Sequence, residues 1–211
     1  MTEKKCKLKT IEVYKRERMC YIVNNKKIGV YNMRNEKLKL MLRTALFTAL
    51  TAVGAFIKIP LGEISVTLQV MFSLMAGLIL KEKWGALSQL LYVVIGLIGV
   101  PIFTQGGGLQ YVFQPSFGFI IGLVPLAFIS GLIAKKGGGF WHYAVAGAAG
   151  LAALYVIGLP YMHLILTLYM QKSVSIGYTL INGMLIFLPF DAIKAVIAAF
   201  TALKLRRTGM V

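Results

Sequence analysis

The chain has 211 residues, of which 58% are hydrophobic and only 14% charged, and a mean hydropathy of +0.75. That is more apolar than a soluble core and surface together allow, so lipid is the expected solvent. The net charge of +16 does not indicate a nucleic-acid partner, because 13 of the 23 Lys and Arg residues fall within the first 43 positions, away from any basic face of a soluble fold.

Residues 1–36 are polar and basic, and their apolar fragments are too short for a signal-peptide core. They read as an N-terminal extension without a function of its own, set apart from a membrane domain over 37–211; Met33 and Met41 offer alternative starts. Cys6 and Cys20 lie here without CxxC spacing and read as free thiols.

A membrane span needs ~20 residues at 1.5 Å rise. Leu40 to Pro60 predicts the first span, and Val66 to Leu80 a shorter second, extended at both ends. Trp84 to Val100 predicts a third, after the turn Lys81-Glu82-Lys83. An uncharged Gly-rich loop from Pro101 to Ser116 leads to a fourth, Phe117 to Ala134, and the turn Lys135 to Gly139 to a fifth. The fifth runs from His142 to about Tyr169, with a break predicted at Gly158-Leu159-Pro160. Ile176 to Leu203 contains Pro189, so it reads as a short apolar lead-in followed by a sixth span from near that proline.

Six spans with both ends inside put seven basic residues on the cytoplasmic side: Lys81, Lys83, Lys135, Lys136, Lys204, Arg206 and Arg207. The expectation is therefore an all-α, multi-pass plasma-membrane protein of six transmembrane helices with both termini cytoplasmic.

From Lys37 onward the only acids are Glu63, Glu82 and Asp191. Lys194 follows Asp191 by three residues, on the same face of a helix. Charged groups within a span cost ~2.5–3.5 kcal/mol each, so an intramembrane pair marks a candidate binding site. Such a pair suits a ligand offering both N–H donors and a carbonyl, and a cyclic urea meets that demand.

The loop glycines Gly106, Gly107 and Gly108 suit a flexible lid over an outward-facing pocket, with Tyr111 and Phe113 beside them. Gln69, Gln89 and Tyr92 are polar groups within spans, explained by ligand contacts or by inter-helix hydrogen bonds. Ala45 and Ala49 form a small-residue face for close packing against another helix or subunit.

No phosphate-binding loop, His-Glu-x-x-His site or Gly-x-Ser-x-Gly elbow occurs, so ATP hydrolysis by this chain is not expected. His142 and His163 are isolated, and neither a metal site nor a cofactor is expected.

Three stretches carry a resemblance. They are ISVTLQ at 64–69, GALSQLLYVVIGLIGVPIFTQGGGLQYVFQPSFGFIIG at 85–122, and FLPFDAIKA at 187–195. From about Leu40 to Arg207 the chain resembles the BioY family, the biotin-binding S components of energy-coupling factor transporters. It departs from that pattern in having Ser65 for a proline, Ser116-Phe117 for Thr-Gly, and Phe190 for a glycine.

The resemblance implies an S-component bundle that is not an enzyme. In it Asp191 and Lys194 contact the ureido end of biotin, with Gln89, Tyr92, Tyr111 and Phe119 as further ligand contacts and Gly106 to Gly108 as the gating loop. It also implies that Ala45 and Ala49 pack on a transmembrane coupling subunit, which works with two ATPase subunits. The alternatives are an S component for another small vitamin or precursor, and a membrane enzyme or scaffold.

Overall fold

A computed structural model of the chain describes residues 36–61 and 64–208. The expectations for residues 1–35 lie outside them. The chain divides into two compact units, 1–42 and 43–211. Of the first, the described residues are the opening turns of a helix in which Lys39 Nζ meets Glu36 Oε1 at 2.9 Å. The second unit holds the rest of that helix and every other described element.

Helix α1 is Glu36–Phe56. Its buried face is Thr44, Phe47, Thr48, Thr51 and Ala55, at helical spacing, while Ala45 and Ala49 are exposed beside Leu46. The chain then forms an antiparallel hairpin of β1 (Lys58–Leu61) and β2 (Ile64–Thr67), with Lys58 opposite Thr67 and Pro60 opposite Ser65. The expected first and second spans are corrected here: Lys58 to Pro60 and Val66 to Thr67 are strand. The alternating, β-branched run Ile-Ser-Val-Thr explains why.

Helix α2 (Gln69–Leu97) carries a non-helical residue, Lys81, at φ 67°, ψ −176°. There the chain doubles back. Gln69 bonds to Tyr92 and Ser73 to Gln89, and a Cβ on Gly85 would lie 2.8 Å from the Gly77 Cα, so the two arms run antiparallel. The first arm, 69–80, is about 18 Å long at 1.5 Å per residue, short of the ~30 Å hydrocarbon core.

A 3₁₀ turn (Leu109–Phe113) leads to α3 (Phe117–Ala134) and α4 (Phe140–Leu164). The predicted break at Gly158 to Pro160 is absent, because α4 runs through Pro160 and loosens only at the π turn Ile165–Tyr169. Packing in a bundle tolerates the missing amide. The aromatic ring of Phe119 occupies the space that Gly158 leaves open.

The last run holds α5 (Ile176–Leu180), a second π turn (Ile181–Leu185) and α6 (Leu188–Arg207), whose first turn contains Pro189. The lead-in followed by a helix from near the proline thus matches what is observed. On α6 the buried residues are Asp191, Lys194, Ala195, Ala198, Ala199 and Ala202, whereas Ile193, Val196, Ile197 and Phe200 are exposed. Small side chains inside and bulky apolar ones outside are the pattern of a helix packed in lipid.

Among the described residues, four helical runs are long and apolar enough to cross a membrane: Glu36–Phe56, Phe117–Ala134, Phe140–Tyr169 and Ile176–Arg206. α2 and α4 flank α3, and α6 packs against both of them. Glycines make the tightest crossing: a Cβ on Gly131 of α3 would meet Glu82 N and Lys81 C at 2.6 Å. Beside this crossing, Lys135 Nζ donates to Glu82 Oε1 at 2.7 Å. That hydrogen bond holds the Glu82 carboxyl, in the turn between the α2 arms, below its ordinary range. With Lys135 largely exposed, the pair contributes below about 1 kcal/mol.

Candidate functional site

Asp191 lies about halfway along the run Ile176–Arg206, and it is 4% exposed; Lys194 is 7% exposed. Pro189 begins the helix just ahead of them, so the i, i+3 spacing sets both side chains on the inward face. Lys194 Nζ donates to Asp191 Oδ1 at 2.8 Å, and Tyr155 OH, from α4, donates to Asp191 Oδ2 at 2.7 Å. Two charges buried in this setting persist only because each has a close, hydrogen-bonded partner.

The pair lines a cavity of about 60 Å³. Ser65 and Thr67 of the hairpin, Thr104 and Ser116 of the long loop, and Phe119 of α3 are among the other residues that line it, with apolar side chains such as Leu123 and Leu154. Pockets that hold small molecules start near ~300 Å³, so this cavity is contracted and must widen to admit one. A larger groove of about 990 Å³ runs between α4, α5 and α6. No charged side chain lines it, and many of its residues are the exposed apolar ones of those helices. The chemistry belongs to the smaller cavity.

The loop over the cavity is anchored from beneath. Phe103, 1% exposed, stacks edge-on against Tyr92 at 5.4 Å and lies 4.7 Å from the Tyr111 ring, with Phe117 joining the cluster. Aromatic pairs of this kind are worth ~0.5–1.5 kcal/mol each beyond their burial. Gly106 (φ 118°) and Gly108 (φ 98°) adopt backbone angles that favour glycine, and the Gly108 amide donates to the Gly96 carbonyl at 2.7 Å. Tyr161 OH of α4 donates to the Val112 carbonyl, and Phe113 stacks on Tyr169.

Of the residues singled out in the sequence, Asp191, Lys194 and Phe119 line the cavity. Tyr92 OH accepts from Gln69 and donates to the Ile102 carbonyl at 3.0 Å, supporting the loop from below. Tyr111 OH bonds to Thr104 and Ser116. Gln89 joins Ser73 to Thr51, tying the α2 arms to α1. Phe190, 41% exposed, is not among the residues that line the cavity, whereas Ser116, another departure from the family pattern, is. His142 bonds to the Ile133 carbonyl and His163 to Thr179.

Tyr155 falls outside the three stretches that carry the resemblance. Its signal was a hydroxyl in the middle of an otherwise apolar stretch of α4, facing a buried acid that needs a second donor.

A scan against family models matches residues 25–210 to the BioY family, beginning within the segment expected to be an extension. The chain is 39% identical over 168 residues to the "Probable biotin transporter BioY" of Lysinibacillus sphaericus, covering 76% of this chain and 83% of that one. It is 36% identical to the biotin transporter BioY of Thermotoga maritima, covering 81% and 97%. Among solved structures, the S-component for biotin from an ECF-type ABC transporter superposes with a TM-score of 0.73 at 27% identity, covering 82% of this chain and 93% of that one.

Proposed function

From the premise that this chain belongs to the BioY family, we propose that it is a multi-pass plasma-membrane subunit that binds biotin for uptake and is not an enzyme. The observation in its own residues that carries the reading is the Asp191–Lys194 pair, donated to by Tyr155, in the wall of a cavity. A carboxylate offers about four lone-pair sites and an ammonium three donors. Each therefore keeps capacity beyond these bonds, Asp191 for the ureido N–H groups and Lys194 for the ureido carbonyl. Phe119 and Tyr155, edge to face at 6.4 Å, give the fused rings an apolar wall.

In this reading Tyr92, Tyr111 and Gln89 act at one remove. The first two hold the loop that closes the cavity, and the third fixes the helices beneath it. Gly106 to Gly108 allow the loop to pack close while the cavity widens. The α2 arms count as two spans, which gives six with both termini cytoplasmic and the basic turns inside. The exposed Ala45–Ala49 face meets a transmembrane coupling subunit, and two ATPase subunits supply hydrolysis.

Calorimetry on the purified protein tests this directly. Biotin binding that excess thiamine or riboflavin does not compete away is expected, and absence of biotin binding would overturn the reading. Tyr155→Phe removes one hydrogen bond to a buried carboxylate, worth about 1.5–3 kcal/mol. Biotin affinity should therefore fall about tenfold or more, with thermal unfolding showing the variant folded.

A further inference from the structure

We propose that the open groove between α4, α5 and α6 takes one acyl chain of an anionic phospholipid, whose phosphate is held by Arg206 and Lys136 where α4 begins and α6 ends. This goes beyond the biotin reading and does not depend on it. The groove has a volume of about 990 Å³ and no charged lining residue. It lies between the runs Phe140–Tyr169 and Ile176–Arg206, both long and apolar enough to cross a membrane. An apolar space of this kind stays dry and takes hydrocarbon, which is the medium at membrane depth. On α4 the lining extends from Ala144 to His163, ~28 Å at 1.5 Å per residue, so the groove follows nearly the whole ~30 Å hydrocarbon core.

Small side chains give the groove its depth. Ala144, Ala148 and Ala152 follow one another a turn apart on α4, across from Ala192 and Ala195 of α6. The protein does not close the space between them. A Cβ on Gly150 would meet the Leu126 carbonyl oxygen of α3 at 2.9 Å, whereas one on Gly147 would meet only the Ala195 Cβ, at 3.6 Å. Helix α4 is thus packed hard on α3 and loosely on α6. Tyr155 lines both the groove and the smaller cavity, so a chain in the groove rests against the residue whose hydroxyl holds Asp191.

Charge at one end selects the lipid. Arg206 stands about three turns beyond Ala195 on the same face of α6. Its Nη1 donates to the Ala134 carbonyl at 3.2 Å and to Tyr143 OH, next to Ala144, at 2.8 Å, and the guanidinium lies 5.6 Å from the centre of the Tyr143 ring. These contacts fix the guanidinium and leave its Nη2 and Nε edge, the fork that takes a phosphate in two parallel bonds. A Cβ on Gly137 would lie 4.0 Å from Nη1, so Lys136, the exposed neighbour of Gly137, brings a second cation to this rim. Glu82, the acid of the adjacent turn, is already paired with Lys135. Trp141, 80% exposed, precedes Ala148 by about two turns on the groove face of α4, and an indole so placed anchors at headgroup level. Basic clefts between spanning helices are where anionic head groups bind.

Native mass spectrometry of the full chain in detergent, with dioleoyl phosphatidylglycerol or dioleoyl phosphatidylcholine added, tests the site. The parent should retain one phosphatidylglycerol, with an affinity at least about fivefold above that for phosphatidylcholine, the scale of one cation near an anionic head group. Lys136→Gln should lower retention of phosphatidylglycerol about fivefold and leave phosphatidylcholine unchanged. Arg206→Lys keeps the charge but not the fork, and should lose part of the preference. Ala148→Phe and Ala152→Phe each place a ring in the groove from an exposed position, so thermal unfolding should find them folded while neither lipid is retained. Equal retention of the two lipids by the parent, or full retention of phosphatidylglycerol by Ala148→Phe, would reduce the lipid to a general annulus and overturn the site. A parent dimer that Ala148→Phe dissociates with no loss of lipid would assign the groove to a second copy and overturn it as well.

Discussion

Asp191→Asn is expected to weaken biotin binding at least about thirtyfold. Truncating one partner of a buried, hydrogen-bonded charge pair costs about 2–5 kcal/mol, and 2 kcal/mol is already about thirtyfold in affinity. Binding and stability are lost for different reasons. The amide presents one acceptor and one donor group where the carboxylate presented two acceptors, so it repels one ureido N–H. Lys194 is also left as an unpaired ammonium in a nearly closed site. Asp191→Asn combined with Lys194→Met separates the two, because removing the stranded charge should recover thermal stability without recovering binding. Calorimetry and thermal unfolding on the same preparations provide both readings, and near-parental affinity in the single variant would remove Asp191 from the site.

The second large effect lies far from the ligand. Gly131→Val should cost at least about 3 kcal/mol of stability, at the upper end of overpacking penalties. The added Cβ would sit 2.6 Å from Glu82 N and Lys81 C, backbone atoms of the turn that joins the α2 arms, and these cannot swing aside as a side chain would. Gly139→Ala is the control, since nothing lies within 4 Å of its Cβ position and its φ is −77°. Folded yield and thermal midpoint in detergent should drop for the first variant and stay within about 0.5 kcal/mol of the parent for the second.

Four long helical runs were legible because each is a sustained apolar stretch bounded by charge or glycine. The acid–base pair was legible because it interrupts one of them. What the one-dimensional pattern concealed was register in space. Lys81 reads as part of a polar turn, but nothing in Lys81-Glu82-Lys83 announces that one residue at φ 67° reverses the helix and sets Gly77 against Gly85. Lys58 to Pro60 looked like the end of a span, since a short apolar run is ambiguous between helix and strand until its partner is known. Gly106 to Gly108 suggested freedom, whereas the fold uses Gly106 and Gly108 for positive-φ backbone and Gly107 for close approach to the Val100 carbonyl, beside Phe103, a residue whose burial no local pattern signals. Tyr155 and Asp191 are 36 positions apart, and only the packing of α4 on α6 brings them together.

The Asp191–Lys194 pair has one more consequence, in the electric field across the bilayer. Moving one elementary charge through that field is worth ~2.3 kcal/mol per 100 mV. A site whose two charges cancel carries no net charge with it when it shifts in depth, so the empty subunit moves without electrical work at this position. Asp191→Asn would leave Lys194 as a net positive charge at that depth, so movement of that variant should gain a dependence on membrane potential that the paired site does not contribute.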